Sequence, residues 1–552
     1  MVTRMEIVMT MPELIDAIFV HLSRAENAVT ALVCKQWLEI SRDHIWYEVE
    51  RPTELFNQLS PLQPEDENAY EFVRIPRQAD WTAFEPLARR VHRLPSPVPP
   101  YHVSSRMAGA LLRSATRPRI IFPNLEYLAW NVGGPQMLGW ESLHLLFLHP
   151  GVRRVGLQAL VPGNVDTAFG SLTDVAAEIA EMSPNMIQLD VTTTTREVAG
   201  LDEPLLPLLS IASLTQVNLC QSLFTPFVLE TVSLLPNLRS LLAIDPDVYQ
   251  EHINYDPVSA ADFSRPLVLA PGAYGALKKL HLAMPTANMS SLLNDTCFPA
   301  TQLQELRVRV LDAPTSDATS TLISTIATRC VQLQALIMNL YPPDFIERST
   351  VEQILSPLTA SMLAPLRSLK ELDAIFIHHL MPVSLSNEEF FHLLAGLPSL
   401  TRLFLVPRPD YWPNPPDQPP ASCFDWQTLI LMAQKYPHIT RLGLYVDLTG
   451  PAPTTIPARF PALGVLELGT SPCPLLRSAR AKLATALCGI LSGRTILASG
   501  FLKNSTWNVN PPVYADPSFE ADLARWAEVR TLVHFGLALI SGASRDDICK
   551  DD

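Results

Sequence analysis

The sequence has little positive charge and no long apolar run. Its 552 residues carry 41 Lys and Arg against 55 Asp and Glu, a formal net charge of -14. An acidic surface is repelled by nucleic-acid phosphates and by anionic lipid, so we expect neither nucleic acid nor membrane as a partner. No apolar stretch reaches the roughly eighteen residues that a membrane span requires, and the start lacks the apolar segment of a secretory signal. We therefore expect a cytoplasmic or nuclear protein, or both.

Paired metal ligands are also missing. The eight cysteines are scattered without a Cys-x-x-Cys pair, which predicts neither a disulfide framework nor a zinc site. The adjacent His378 and His379 would point to opposite faces of a strand and so cannot chelate one metal ion. We predict no metal and no cofactor.

No catalytic motif is present. The sequence has no G-x-S-x-G or H-E-x-x-H pattern, and Gly133-Gly134 lacks the context of a phosphate-binding loop, so a turn is expected there. Cys34 could act as a nucleophile with His44 as its base. Beside Val33 and Trp37, however, it better fits the usual role of a free cysteine, a small buried hydrophobe. We predict no catalytic residues and no enzymatic activity.

The stretch from Met11 to Trp46 is strongly patterned. Thr10 and Glu13 have the spacing of a capping box, with Pro12 in the first helical turn, and Ser23-Arg24-Ala25-Glu26 repeats the cap. Apolar residues after the first cap recur at a helical period and predict one apolar stripe: Leu14, Ile15, Ile18, Phe19 and Leu22. Residues after the second cap follow the same period: Val29, Leu32, Val33, Gln36, Trp37 and Ile40.

This pattern predicts two or three short helices around one small core. About forty residues bury too little surface to be secure alone. We therefore expect these helices to lean on the rest of the chain, on a partner, or on both.

The blocks Met11-Pro12-Glu13-Leu14 and Ala31 to Trp37, with Ile18, Phe19 and Leu22 between them, resemble an F-box. An F-box is the three-helix module that docks on the Skp-type adaptor of SCF-type (Skp–cullin–F-box) ubiquitin ligases. The chain differs from the family's usual proline and leucine by having Arg24 and Asn27. The resemblance implies an adaptor partner, a cullin bound through it, and these adaptor-binding residues: Met11, Pro12, Leu14, Ile18, Phe19, Leu22, Leu32, Val33 and Trp37. The alternative is that residues 10–46 only cap a larger domain.

From Phe122 onward the chain repeats an L-x-x-L-x-L pattern. The starts advance by roughly 24 to 39 residues, as insertions in a solenoid permit. About twelve copies begin at residues 123, 151, 184, 212, 236, 275, 301, 331, 367, 398, 437 and 461. Each copy predicts a short strand whose leucines enter a common core.

Helical patterns lie between the copies, for example around Leu172 to Met182 and Leu322 to Cys330. The body thus resembles leucine-rich repeats, and we predict an α/β solenoid: a leucine-rich-repeat horseshoe preceded by a small three-helix F-box-like domain. An ordinary α/β domain is the alternative. It would require near-continuous Val and Ile strands followed by ligand-binding glycines, which the sequence lacks.

Four domains are predicted in this chain. They are an F-box-like helical domain at 7–50, a connector and N-terminal helical cap at 51–118, the solenoid at 119–475, and a C-terminal cap and tail at 476–552. A helix containing Trp526, Val529, Leu532 and Val533 is expected to shield the last open edge. Two proline-spaced stretches, Asp245 to Pro271 and Pro407 to Pro420, are expected to be loops.

The residues between the leucines of each strand would line the concave face of the solenoid. Arginine and aromatic side chains there are typical of binding hot spots, and a row of arginines would suit an acidic or phosphorylated segment. Pairing with neighbouring carboxylates is the alternative. The predicted target-binding residues are Arg307, Arg309, Arg402, Phe404, Arg441 and Tyr445.

A helical module that resembles an F-box, followed by such repeats, resembles the substrate-recognition subunits of SCF-type ubiquitin ligases. In that function the first helices bind the adaptor and the repeats bind an unknown target protein, without bond chemistry by this chain. The alternative function is an F-box-containing interaction scaffold that acts outside a ubiquitin ligase.

Overall fold

The computed structural model describes thirteen stretches of the chain. They are residues 11–65, 70–95, 104–132, 143–159, 165–193, 201–244, 263–312, 314–340, 357–379, 381–407, 424–468, 471–498 and 517–541. The chain forms two compact units. The first unit contains residues 1–223 and 227–238, and the second contains residues 224–226 and 239–552.

The described residues form sixteen α-helices. In chain order they are α1 Pro12–Phe19, α2 Arg24–Thr30, α3 Lys35–Tyr47, α4 Pro52–Leu59, α5 Gln78–Ala88, α6 Ser105–Arg113, α7 Val165–Met182, α8 Asp202–Leu209, α9 Pro226–Ser233, α10 Thr286–Asn294, α11 Ser316–Arg329, α12 Ala360–Leu363, α13 Asn387–Ala395, α14 Trp426–Lys435, α15 Arg477–Ile490 and α16 Pro517–Ser541. Short 3₁₀ turns add Leu143–Leu146, Gln221–Leu223, Ala300–Gln302 and Ala364–Ser368.

The first unit combines an antiparallel hairpin with a parallel sheet. The hairpin pairs β1 Leu62–Pro64 with β2 Tyr70–Phe72. The parallel strands follow one another in chain order: β3 Arg93–Leu94, β4 Tyr127–Val132, β5 Arg154–Ala159, β6 Gln188–Thr193 and β7 Gln216–Cys220.

The second unit contains parallel strands in chain order as well. They are β8 Ser240–Ile244, β9 Lys279–Met284, β10 Glu305–Val310, β11 Ala335–Asn339, β12 Ala374–His379, β13 Arg402–Pro407, β14 Arg441–Leu444, β15 Val465–Glu467 and β16 Ile496–Ala498. From β9 onward, each strand pairs with the strand before it in the same direction. The predicted mixed α/β architecture, with parallel strands alternating with helical connections, is confirmed within each unit.

The leucine pattern produces these strands because side chains alternate across a sheet. In β10, Leu306, Val308 and Val310 are buried in the core, whereas Glu305 and Arg307 lie half-buried on the opposite face. The helices supply the rest of the core through residues such as Leu322 and Ile326 of α11. Buried side chains of β10 and of α11 thus both contribute to the apolar core of this unit.

The polar residue before the first leucine of several copies ties its repeat to the previous one. The Asn124 side-chain amide donates to the Arg89 carbonyl at 2.7 Å, and the Asn185 amide donates to the Pro150 carbonyl at 3.3 Å. In the second unit, the Ser399 hydroxyl donates to the Lys370 carbonyl at 2.9 Å. Each of these bonds gives a hydrogen-bond donor to a backbone carbonyl that lies outside the strands.

The copy that begins at residue 367 has a different register from the one predicted. The pattern aligns Leu369 with the first leucine, but β12 begins only at Ala374, and Ile375 pairs with Leu336 and Leu403. Leu369 instead follows the 3₁₀ turn Ala364–Ser368. The true first leucine is therefore Leu372, three residues later.

Two strands also differ from the predictions. β3 precedes the predicted copies in the first unit, and β16 follows them in the second unit. Helix α5 ends at Ala88, and Leu94 belongs to β3. Residues 133, 134 and 408–420, where a turn and a loop are predicted, lie outside the described residues.

The last strand of the second unit is covered by α16. The Leu497 backbone N–H donates to His534 Nε2 at 3.2 Å, and Trp526 Nε1 donates to the Ser471 carbonyl at 2.7 Å. Val529 and Val533 are buried with Trp526, as predicted for a covering helix, whereas Leu532 is exposed. The free edge of β16 is thereby partly satisfied.

Two features are absent from the described residues. None of the described helices combines the length and the apolarity needed to cross a membrane. Across the same stretches, no cluster of three or more His, Cys, Asp or Glu side chains has a geometry that could hold a metal ion.

Candidate functional site

Helix α1 has one apolar face turned inward and another turned outward. Ile15 and Phe19 are buried, with 1% and 4% of their surface exposed, whereas Leu14 and Ile18 are 41% and 44% exposed. The predicted single stripe is therefore split, which corrects the expectation. Residues at positions i, i+1, i+4 and i+5 spread over a wide arc of the helix surface. The neighbouring helices cover only part of that arc.

Helix α1 has Met11 as its N-cap, and the Met11 side chain makes no capping hydrogen bond. Pro12 occupies the first turn as predicted. Thr10 lies outside the described residues. The Leu14 and Ile15 backbone N–H groups donate to the Met11 carbonyl, both at 3.1 Å.

The cap of α2 is the predicted capping box. The Glu26 backbone N–H donates to the Ser23 hydroxyl at 3.3 Å, and the Glu26 carboxylate accepts the Ser23 backbone N–H at 2.7 Å. Hydrogen bonds from the Ser23 hydroxyl and its backbone N–H lower the pKa of Glu26. This cap fixes the direction in which α2 leaves α1.

The two departures from the F-box pattern have structural roles here. Asn27 is buried, and its amide donates to the Phe19 and Leu22 carbonyls, both at 3.2 Å, closing the end of α1. Arg24 forms an ion pair with Glu54 of α4 at 2.6 Å and lies over the Trp46 ring. Both side chains therefore hold the three helices together or to the chain that follows.

The core of α1–α3 is small and specific. The Phe19 and Trp37 rings pack edge to face with centroids 5.3 Å apart. The Thr30 and Ser41 hydroxyls are hydrogen-bonded at 2.8 Å, and Ser41 is fully buried. His44 Nε2 bonds to Asp16 at 2.8 Å, which joins α3 to α1.

Large apolar side chains on these helices face solvent. The turn after α2 carries the most exposed of them, Leu32, at 86%. We use the name N-terminal apolar surface for the exposed set Met11, Leu14, Ile18, Val29, Leu32 and Val33. Met11, Leu14 and Ile18 share one side of α1, since they are three and four residues apart.

The predicted adaptor-binding residues fall into three classes of exposure. Six are exposed: Met11, Pro12, Leu14, Ile18, Leu32 and Val33. Leu22 and Trp37 are half-buried, and Phe19 is buried in the core. Val20, which is 60% exposed, was not among them, although its place directly after Ile18 and Phe19 continues the apolar run.

Cys34 is exposed, which corrects the expectation of a buried hydrophobe. It is the N-cap of α3 and its side chain makes no capping hydrogen bond. The turn that carries Leu32 and Val33 projects away from the core, and Cys34 ends that turn.

The three helices are joined to the first strands of the same unit. Arg90 bonds to Glu39 at 2.6 Å and also to Asp43, both on α3. The Val49 backbone N–H donates to the Arg93 carbonyl at 3.0 Å, and the Tyr47 ring stacks on His92 with centroids 4.9 Å apart. Sequence reasoning missed this junction because its partners are about fifty residues apart and follow no local period.

The predicted target-binding arginines of the second unit form two separate groups. Arg402 and Arg441 occupy paired positions on β13 and β14. Arg307 and Arg309 lie on β10, three strand spacings from β13, or about 14 Å. The residues in register with Arg307 on the two intervening strands, β11 and β12, are Ile337 and Phe376. The arginines therefore do not form one continuous surface.

Ion pairs accompany several charged residues of this face. Arg402 bonds to Asp373 at 2.5 Å, so for this residue the alternative, pairing with a neighbouring carboxylate, is confirmed. Glu305, beside Arg307, accepts hydrogen bonds from His281 at 2.9 Å and Lys279 at 3.1 Å. The His281 hydrogen bond lowers the pKa of Glu305 to about 2, and burial lowers the pKa of His281.

The predicted aromatic residues of this face are buried. Phe404 stacks on Phe376 with ring centroids 4.6 Å apart, and Tyr445 is 2% exposed. Phe404 also covers Gly443 on the next strand, where a Cβ would collide with its ring. Arg441 is the exposed member of the predicted set.

Glu467, in the same unit, lies half-buried on β15. Its strand neighbours in register are Gly443 and Ala498, neither of which offers a polar side chain. Burial raises the pKa of Glu467 to about 7.

Comparison with known proteins gave a distant structural similarity. No protein-family model and no curated protein sequence matches the chain. The chain is similar to a chain in the crystal structure of the Rad7 and Elc1 complex in yeast, at 14% identity and a TM-score of 0.39. The similarity covers 82% of this chain and 92% of that chain.

Proposed function

We propose that the chain is a non-catalytic substrate-recognition subunit of an SCF-type ubiquitin ligase. The observation that carries this proposal is the N-terminal apolar surface on helices whose sequence resembles an F-box. Apolar side chains left in solvent next to a well-formed core are typical of a surface that a partner covers. Leu32, at 86% exposure, gains nothing from folding and would gain most from a partner.

The half-buried and buried residues of the predicted set support the same function in another way. Phe19 and Trp37 pack against each other, so they hold α1 and α3 at the angle that presents Leu14, Ile18 and Leu32. In this proposal the exposed residues contact a Skp-type adaptor and the buried ones position them. A cullin would join through the adaptor.

The chain's own contribution would be positioning. Arg90 and the Tyr47–His92 stack tie the three helices to the first strands of the same unit, and Arg24 ties them to α4. A target held by the repeats would then be kept near a ubiquitin-charged enzyme elsewhere in the complex. Holding two reactants together makes the transfer effectively intramolecular.

Charge substitution on the exposed surface tests the proposal. Leu32→Asp and Ile18→Asp should each lower recovery of a purified Skp-type adaptor by about tenfold or more, since a carboxylate would be buried in an apolar interface. Leu475→Asp is the matched control, because Leu475 is another strongly exposed leucine (75%) and lies in the second unit. Thermal unfolding of each variant verifies folding. Equal adaptor recovery by all three variants would show that the proposal is wrong.

Cullin recruitment separates the two candidate functions. If the wild-type chain recovers the adaptor together with a cullin, it is a ligase subunit. If it recovers the adaptor and no cullin from a mixture that contains both, the chain acts as a scaffold outside a ligase.

A further inference from the structure

A groove in the first unit runs between the hairpin strand β2 and helix α6. Its volume is about 270 Å³. Phe72 and Met107 are buried and form its floor with the half-buried Ala110. The groove is built from residues outside the N-terminal apolar surface. We use the name hairpin groove for it.

The hairpin side of the groove is apolar and open to solvent. Ile75, on its rim, is 65% exposed, and Val73, just after β2, is 57% exposed. Neither side chain adds to the core, and both are costly to leave in water. A partner that covers them would gain apolar contact area.

The helix side of the groove carries positive charge. Arg106 and Arg113 line it, and the one carboxylate of the lining, Glu71, lies on β2. Arg106 lies 3.4 Å from Glu65 and 3.6 Å from Glu71, with 73% of its side chain exposed. Such long, exposed pairs contribute little and can be exchanged for a better partner.

Arg113 has no carboxylate partner among the described residues. Its Nε donates to the Gly109 carbonyl at 3.0 Å, and its guanidinium lies against Gly109, where a Cβ would be 2.7 Å from Nη2. Arg117 and Arg119 follow within six residues, and within the described stretches neither forms an ion pair with a carboxylate. On a chain of net charge -14, this is a local concentration of cations.

The volume and the charges indicate the kind of ligand. Drug-sized ligands and cofactors occupy pockets of about 300–1,000 Å³, so the hairpin groove suits one or two side chains of a peptide. Guanidinium groups bind carboxylates through paired, directed hydrogen bonds. We propose that the hairpin groove binds an acidic peptide segment of a partner protein, with an apolar side chain against Phe72, Met107 and Ile75 and carboxylates on Arg106 and Arg113. This proposal does not rest on the proposed function.

Three labelled dodecapeptides test this with the full-length chain. One alternates leucine and glutamate, the second replaces glutamate by lysine, and the third replaces leucine by serine. Fluorescence anisotropy should show saturable binding of the first peptide only. The double variant Arg106→Glu/Arg113→Glu and the single variant Ile75→Asp should each weaken that binding about tenfold or more.

The matched control is Arg459→Glu, which reverses the charge of an exposed arginine of the second unit and should leave binding unchanged. Equal binding of the glutamate and lysine peptides, or unchanged binding by both groove variants, would overturn the proposal. So would the absence of saturable binding. If no peptide binds and Ile75→Asp converts a dimer to a monomer in sedimentation, the groove is an interface between copies of the chain.

Discussion

Single residues in this protein show how environment decides what a side chain does. Arg402 and Arg441 are paired on neighbouring strands, yet the side chain of Arg402 bonds to Asp373 and that of Arg441 is exposed. Asn27, a polar residue in the first unit, is buried because two carbonyls at the end of α1 need a donor. In both cases the neighbouring groups, rather than the residue type, set the role.

Glu467 provides a test at this scale. Its pKa is raised from the usual 4.5 to about 7, so between these values the folded chain keeps a proton that the unfolded chain releases. The free energy of unfolding should therefore fall as pH rises from about 4.5 to 7. Glu467→Gln removes this dependence and should make the chain more stable than wild type at pH 8, by at most about 3 kcal/mol.

Urea unfolding from pH 4.5 to 8 measures this difference, with the two proteins converging at the acidic end. If the free energy of unfolding depends on pH in the same way for wild type and Glu467→Gln, Glu467 is solvated and its pKa is not raised. An exposed carboxylate such as Glu388, changed to Gln, is the control and should leave the curve as it is.

At the scale of elements, the N-terminal helices share a very small apolar core. Only Ile15 and Phe19 of α1 are buried, and the Phe19–Trp37 pair joins α1 to α3. A core this small has no spare packing to absorb a cavity. Its helices nevertheless present six exposed apolar residues, so their stability and their binding surface are closely linked.

Phe19→Ala or Trp37→Ala should each cost about 3–5 kcal/mol of packing energy. We expect recovery of a Skp-type adaptor to fall sharply, because α1 and α3 would no longer hold the N-terminal apolar surface in place. Circular dichroism and limited proteolysis should show that the repeats stay folded. Full adaptor recovery by both variants would indicate that the surface does not depend on this ring pair.

The elements also show which parts of the fold could be predicted. The leucine pattern located the strands, because a period of two with leucines in the core is a local property. It failed at residue 367, where Leu369 directly follows a 3₁₀ turn and imitates the first leucine of a strand. It also missed β3 and β16, whose two or three residues are too short to show a period.

For the whole molecule, an open edge of a parallel sheet is a place where other chains can pair and aggregate. An open strand edge offers unpaired N–H and C=O groups to other chains. In the second unit, α16 lies against β16 and accepts the Leu497 N–H through His534. The helix also buries Trp526 and Val533, so its removal would uncover apolar surface.

Truncation after residue 510 removes α16 and should make the chain aggregate, as measured by light scattering at equal concentration. A truncation after residue 541 keeps the helix and serves as the control. If both truncated chains stay equally soluble, α16 is not needed to protect the edge of β16.

The amino-acid sequence by itself determined where most strands and helices lie, since periods of two and 3.6 residues and capping boxes such as Ser23–Glu26 act over a few neighbouring residues. Only the tertiary structure decided which side of each element faces solvent. It turned Leu14 and Ile18 outward, separated the arginines of β10 from those of β13 and β14, and brought β2 and α6 together around the hairpin groove. Those outcomes depend on contacts between residues far apart in the chain, and no local period encodes them.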